Sequence, residues 1–144
     1  MIRFANTIDI GRPTDHVYAY LADLRHTPEW NWAIADAEIV GPEPAGVGAR
    51  YRFRRTAPRP GTEVVEITGL EPGRRIDVAG RLGPFDAHLT YELAETRTGT
   101  RLTNAVELEP PVPLGPFGDV LGGTIRASVR ENLGVLKGVL EAGG

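Results

Sequence analysis

Three polar residues of this 144-residue sequence lie among apolar residues on segments that alternate like β-strands. Glu63 shares its predicted strand face with Val65, Asn104 shares its face with Val106, and Arg55 ends an alternating segment. A polar side chain on an apolar face is the informative exception to the usual pattern of burial. Glu63 could act as a general acid or base, or it could pair with Arg55 across adjoining strands as a structural bridge.

The catalytic candidates of the sequence are therefore few: Glu63, Tyr51 and Asn104. Asn104 could hydrogen-bond a ligand carbonyl or only a neighbouring backbone group. The three histidines are not arranged with the spacing of metal ligands, so no metal site is predicted. No nucleotide-binding, phosphate-binding or zinc-protease motif occurs, and no cofactor is expected.

Apolar and aromatic side chains on the same strand faces are predicted to line an internal cavity, since small-molecule sites are mostly apolar with a few placed polar groups. Trp30 follows the helix-stopping Pro28-Glu29, a position more typical of a cavity lid than of a packed core. For each of these side chains, ordinary core filling is the alternative. The predicted ligand-binding residues are Trp30, Trp32, Tyr51, Phe53, Val65, Leu89, Tyr91, Asn104, Val106, Val120 and Thr124.

The element that must position these residues is a long helix predicted from Pro116 to Ala142, after a proline-rich hinge from Pro110. Apolar residues recur there at steps of three or four, which places them on one stripe of an α-helix. A stripe of this length needs a sheet to cover. The residues of the stripe are Leu121, Ile125, Val129, Leu133, Leu136 and Leu140.

The rest of the chain is predicted to form strands joined by short turns, such as the turn Pro44–Gly48, with two short helical segments after the first strand. A helix that opens at Pro13 or Thr14 is expected to stop at Pro28, because the residue before a proline leaves the helical region. Strands joined by tight turns pair antiparallel, and one face of such a sheet must be covered. The predicted strands span residues 2–10, 37–40, 49–56, 62–70, 75–79, 85–94 and 100–109.

Composition restricts the class of protein. A net charge of −3 gives no broad attraction to nucleic acid or to anionic lipid. Cysteine is absent, and neither a signal peptide nor an apolar run of about 20 residues is present. We expect one α+β domain over residues 1–144 that is cytoplasmic, has no stable membrane insertion and binds no nucleic acid.

Two surface features carry weaker predictions. Arginines at positions 50, 52, 54, 55 and 59 form a local basic patch, but the aromatic residues alternate to the opposite face, which favours a solvated strand face. Small residues at positions 123, 127, 134 and 138 form a stripe on the long helix. That stripe would permit a dimer contact, or it is tolerated on an exposed face, so monomer and homodimer both stay open.

The order of short motifs along the chain resembles the START-like (SRPBCC) superfamily, in its polyketide cyclase/dehydrase and lipid-transport branch. The resemblance covers essentially the whole chain and implies a helix-grip fold: a curved antiparallel sheet of about seven strands around the C-terminal helix, with an apolar cavity between them. The motifs that carry it are Pro28-x-Trp30-Asn31, Val47-Gly48-Ala49-Arg50, Ile67-Thr68-x-x-Glu71-Pro72-x-x-Arg75-Ile76, Tyr91-x-Leu93 and Gly99-Thr100-Arg101-Leu102.

This scaffold hosts carriers, cyclases, hydrolases and regulators, so the resemblance does not decide the chemistry. The leading hypothesis is binding or transport of a hydrophobic or aromatic small molecule in the cavity between helix and sheet. One alternative is a cyclase or dehydratase that acts on a polyketide-like substrate through Glu63, Tyr51 or Asn104. A further alternative is a module that regulates a partner protein.

Overall fold

Seven strands form one antiparallel sheet in the computed structural model, which describes residues 1–41 and 46–144. Their spatial order is β1-β7-β6-β5-β4-β3-β2: from β2 to β7 each strand pairs with the next one in sequence, and β1 pairs with β7. The predicted turn that begins at Pro44 lies partly outside the described residues. The strands are β1 (Ile2–Ile10), β2 (Ile34–Val40), β3 (Arg50–Arg55), β4 (Gly61–Glu71), β5 (Arg75–Leu82), β6 (Phe85–Thr96) and β7 (Gly99–Glu109).

One face of the sheet is apolar from strand to strand. Val78 lies opposite Leu89, and Leu89 lies opposite Val106. Val106 in turn lies opposite Phe4 on β1, so the apolar row continues to the edge of the sheet. Directly opposed residues of antiparallel strands share a face, and the period-two alternation predicted from the sequence therefore places one set of side chains on the concave side.

Two helical segments connect β1 to β2 across the concave side. Helix α1 (Thr14–Ala22) is followed by a 3₁₀ helix (Leu24–Glu29) that contains Pro28. The helix therefore ends before Asp23, and the predicted stop at Pro28 is wrong. Asp23 is extended, and its side chain accepts a hydrogen bond from the Arg25 N–H, which caps a new helix start five residues earlier than the proline.

The predicted long helix is confirmed as α2 (Phe117–Glu141), 25 residues without a break. Its buried residues all lie near its C-terminal end: Asn132, Leu133, Leu136 and Leu140. The three leucines pack in the main core, to which all seven strands, α1 and the 3₁₀ helix contribute. The predicted stripe is thus buried only in its second half, whereas Leu121, Ile125 and Val129 are half-buried.

A second, smaller core lies under the N-terminal half of α2 (residues 117–128). Four residues of the sheet are buried there, and only Leu121 and Ile125 of α2 pack against them. The buried members of this second core are Ile2, Ala87, Val106 and Leu108.

The C-terminal end of α2 is fastened to the connection between β1 and α1. The Gly11 N–H donates to Glu141 Oε2 at 2.7 Å, and Arg12 Nη1 donates to the Leu140 carbonyl at 2.9 Å. Lys137 Nζ lies 2.7 Å from both Glu141 Oε2 and the Asp9 carbonyl oxygen. The two ends of α2 are therefore held very differently, tightly at residue 141 and loosely at residue 117.

Candidate functional site

A crevice lies beside the N-terminal half of α2, at the edge of the sheet formed by β1. Its volume is about 1030 Å³, and it separates that half of the helix from β1 and from the hinge that follows β7. We call it the β1–α2 crevice. It is lined by residues 1–4, by residues 109–115 and, on α2, by Gly118, Asp119, Gly122, Gly123 and Arg126.

Glycines on α2 permit the helix to lie close to β1 without filling the crevice. A Cβ atom at position 122 would come within 3.2 Å of Ile2 Cγ2, and one at position 118 would lie 3.7 Å from Leu114 Cβ. Farther along, the Asn6 amide donates from Nδ2 to the Arg126 carbonyl at 3.2 Å and ties β1 to the middle of α2. Arg126, which accepts this hydrogen bond, is also the last residue of α2 that lines the crevice.

The predicted ligand-binding residues divide into two groups in the structure. Three of them are exposed: Trp32 is 62% exposed, Val120 is 71% exposed, and the Thr124 hydroxyl bonds back to the Val120 carbonyl of its own helix. They do not line an internal wall as predicted. The others are buried or half-buried on the concave side: Trp30, Tyr51, Phe53, Val65, Leu89, Tyr91, Asn104 and Val106.

None of the eleven predicted residues lines the β1–α2 crevice. Sequence reasoning missed the residues of the crevice because it looked at strand faces and not at the edge of the sheet. Two signals pointed there. The predicted hinge from Pro110 follows the strand that pairs with β1, and glycines recur at positions 115, 118 and 122 on one side of the helix start.

Glu63 is the centre of a buried polar cluster at the ends of β3, β4 and β5. Its Oε2 atom accepts from Arg55 Nε at 2.7 Å and from the Gly83 N–H at 2.6 Å. Gly83 has a φ of +60°, a backbone conformation that favours glycine, and this turn directs its N–H at the carboxylate. The side chains of Arg55 and Glu63 are 16% and 8% exposed, so the predicted structural bridge between them exists.

Two polar atoms of the interior have no hydrogen-bond partner in the part of the chain that the structure describes: Glu63 Oε1 and Trp30 Nε1. The two residues are 8% and 7% exposed. An unsatisfied buried polar group costs about 1–3 kcal/mol, more when it is charged. Native structures hold few such groups, and each one requires an explanation.

Asn104 and Tyr91 are two further polar residues of the predicted wall that the structure buries. Asn104 donates from Nδ2 to the Thr90 carbonyl at 3.2 Å, which is the backbone alternative considered for it. Burial raises the pKa of the Tyr91 hydroxyl, so this tyrosine stays neutral. Both residues are therefore uncharged groups on the concave side of the sheet.

The position of Trp30 depends on a contact between α1 and the 3₁₀ helix. The Tyr20 hydroxyl donates to Glu29 Oε1 at 2.7 Å, and the Tyr20 ring stacks on His26 with centroids 4.2 Å apart. Hydrogen bonds from Tyr20 and His26 lower the pKa of the Glu29 carboxyl. The contact fixes the residue that immediately precedes Trp30.

Within residues 1–41 and 46–144, no three histidine, aspartate or glutamate side chains are grouped so that they could hold a metal ion. None of the helices described there is both long and apolar enough to span a membrane.

Solved structures with the same architecture are numerous, although their sequences differ greatly from this one. A START superfamily protein from Mycobacterium smegmatis matches with a TM-score of 0.78 at 17% identity, over 99% of each chain. The di-domain ARO/CYC StfQ from the steffimycin biosynthetic pathway matches with a TM-score of 0.76 at 16% identity, over 95% of this chain and 49% of that chain. A protein from Mesorhizobium loti matches with a TM-score of 0.74 at 18% identity, over 99% of this chain and 98% of its own.

These likenesses confirm the helix-grip fold. None of the curated protein sequences compared with this chain matches it. A family model described as polyketide cyclase / dehydrase and lipid transport matches residues 1–141, as the order of motifs in the sequence indicated. The chain therefore belongs to the polyketide cyclase/dehydrase and lipid transport family.

Proposed function

We propose that this protein binds a hydrophobic small molecule between the sheet and the N-terminal half of α2. One observation carries the proposal: α2 buries no side chain before Asn132, although the sheet beneath its first half is apolar. A helix that covers an apolar face incompletely leaves room for another apolar group. The family description, which includes lipid transport, supports the same class of ligand.

The β1–α2 crevice supplies the entrance. Its volume of about 1030 Å³ is slightly above the range of roughly 300–1,000 Å³ that is typical of ligand sites. Ile2 and Phe4 form its apolar wall on the sheet, and Leu114 closes it at the hinge. A molecule that enters there meets the second core, where Val106 and Leu108 are buried.

A variant that fills the crevice tests this function. Gly118→Leu adds a side chain whose Cβ lies at ordinary contact distance from Leu114, so the new group occupies the crevice without backbone strain. We expect Gly118→Leu to weaken the binding of Nile red, a neutral dye that fluoresces in apolar surroundings, by about tenfold or more. Titrations of dye fluorescence measure the dissociation constant.

Gly138→Leu is the matched control, because a Cβ atom at position 138 of the same helix meets nothing within 4 Å. It adds the same apolar group outside the crevice and should leave the dissociation constant unchanged. Absence of dye binding by the unaltered protein, or an equal loss in both variants, would refute the proposed function.

Catalysis is a second candidate, and the free Oε1 atom of Glu63 favours it. A buried carboxylate oxygen without a partner is placed to accept a proton from a bound substrate. The family description, polyketide cyclase / dehydrase, makes a linear polyketide the first substrate to try. Formation of a cyclised product, followed by mass spectrometry and lost in Glu63→Gln while Nile red still binds, would establish the enzyme; no product would exclude this reaction.

A further inference from the structure

The two unpartnered atoms of the interior, Glu63 Oε1 and Trp30 Nε1, lie on the same side of the sheet. Glu63 is paired in register with Phe53, and Phe53 and Trp30 are members of the same buried core. Trp30 follows the 3₁₀ helix, whereas Glu63 lies on β4. Both atoms therefore lie on the buried side of the sheet. The strand register runs from Val65 through Gly80 and Ala87 to Leu108, so Glu63, two residues from Val65, lies at the same end of that side as the second core.

The two atoms require opposite partners. Arg55 Nε and the Gly83 N–H both donate to Glu63 Oε2, and the other carboxylate oxygen, Oε1, is an acceptor that needs a donor. The indole nitrogen of Trp30 is a donor only and needs an acceptor. A hydroxyl group can satisfy either atom, because it donates one hydrogen bond and accepts others.

Resting on the ligand-binding function proposed above, we infer that the ligand is a neutral molecule with a hydroxyl group that donates to Glu63 Oε1. A carboxylate ligand such as a fatty-acid anion is the wrong class, because it has no donor for Oε1 and adds a second negative charge. Arg55 does not offset that charge, since it already pairs with Glu63 at 2.7 Å. A bare hydrocarbon leaves both atoms unsatisfied.

Four naphthalene derivatives of similar size separate these cases in the unaltered protein. At neutral pH, 2-naphthol is an uncharged donor and acceptor, 2-methoxynaphthalene is an acceptor only, naphthalene is neither, and 2-naphthoate is an anion. We expect 2-naphthol to bind about tenfold or more tightly than each of the other three, since a hydrogen bond to a charged group exceeds a neutral one. Isothermal titration calorimetry measures each dissociation constant.

Glu63→Gln should remove the preference for a hydroxyl group at this position. The amide oxygen of glutamine can keep the contacts with Arg55 and Gly83, which leaves its NH₂ group, a donor, where Oε1 was. The variant should lose the advantage of 2-naphthol over 2-methoxynaphthalene, because the oxygen of either compound can accept from the NH₂ group. Glu66→Gln is the matched control, because Glu66 is exposed on the opposite face of β4, and it should keep the order of the unaltered protein.

The outcomes are distinguishable from failure of the proposed function. Equal affinities for 2-naphthol, 2-methoxynaphthalene and naphthalene would overturn the hydroxyl requirement while leaving hydrophobic binding in place. Tightest binding of 2-naphthoate would overturn it as well. Failure of all four compounds and of Nile red would remove the proposed function and this inference together. The ligand series needs no variant, so a poorly folded Glu63→Gln protein does not prevent the test.

Discussion

Arg55 forms an ion pair with the buried carboxylate of Glu63. Its guanidinium lies 2.7 Å from a carboxylate that is 8% exposed. Removal of one partner from a buried ion pair leaves the other charge desolvated, so we expect Arg55→Met to lower the free energy of unfolding by about 3 kcal/mol. Urea denaturation at neutral pH measures the loss.

Arg52→Met is the control for this prediction. Arg52 lies on the same strand but on the solvent side, and its pair with Glu38 at 2.6 Å is about half exposed. An exposed pair contributes less than about 1 kcal/mol, and the control should lose no more than that. Equal losses in the two variants would show that Glu63 is not held as a buried charge.

Part of the Glu63 cluster was predictable from the sequence, and part was not. The parity of Glu63 with its apolar strand neighbours placed it inward, and the adjoining strand end made Arg55 a candidate partner. The turn at Gly83 could not be assigned as a donor, because that depends on where β5 and β6 are joined in space. Which oxygen remains free depends on the same contact.

At the level of elements, the C-terminal anchor of α2 makes stability depend on pH. Hydrogen bonds from Lys137 and from the Gly11 N–H lower the pKa of the Glu141 carboxyl below its ordinary value of 4.5. A carboxyl whose pKa is lower in the folded state stabilises the fold above the unfolded pKa and loses that contribution as pH falls below it. The anchor should therefore act at neutral pH and fail in acid.

Glu141→Gln tests the anchor. The urea midpoint of the variant should lie below that of the unaltered protein at about pH 6, and the difference should shrink as the pH is lowered below the ordinary pKa of a glutamate carboxyl. Glu131→Gln, at an exposed position on the same helix, should not show this pH-dependent difference. A difference between Glu141→Gln and the unaltered protein that stays constant with pH would contradict the ionic nature of the anchor.

The elements themselves followed closely from periodicity, and the exceptions have physical causes. Alternation placed β3, β6 and β7 within two residues of their observed ends, since each carries one apolar and one polar face. The helix break was misplaced because the Asp23 cap overrides the proline signal at Pro28. Val120 and Thr124 were placed inward because a periodic pattern gives the faces of a helix but not how far the helix stands from the sheet.

At the scale of the whole molecule, the fold has one well-packed end and one loosely packed end. Leu133, Leu136 and Leu140 are at most 1% exposed, whereas Phe117 and Val120 are more than 70% exposed on the same helix. The fold class was predictable because the spacing of apolar residues indicates both the succession of strands along the chain and the long C-terminal helix. The position of the ligand crevice was not, because it depends on the difference in packing between the two ends.

This difference predicts unequal dynamics along α2, measurable by amide hydrogen exchange with mass spectrometry. Amides of residues 117–128 should exchange at least about tenfold faster than those of residues 129–141, because local opening is easiest where few apolar contacts are lost. Saturating Nile red should slow exchange in the first half of the helix, since a ligand that binds only the closed form stabilises it by mass action. Strands β2 and β3, which contribute no residue to the second core or to the crevice, serve as the reference. Uniform protection along α2, or dye-induced slowing confined to its C-terminal half, would place the ligand away from the β1–α2 crevice.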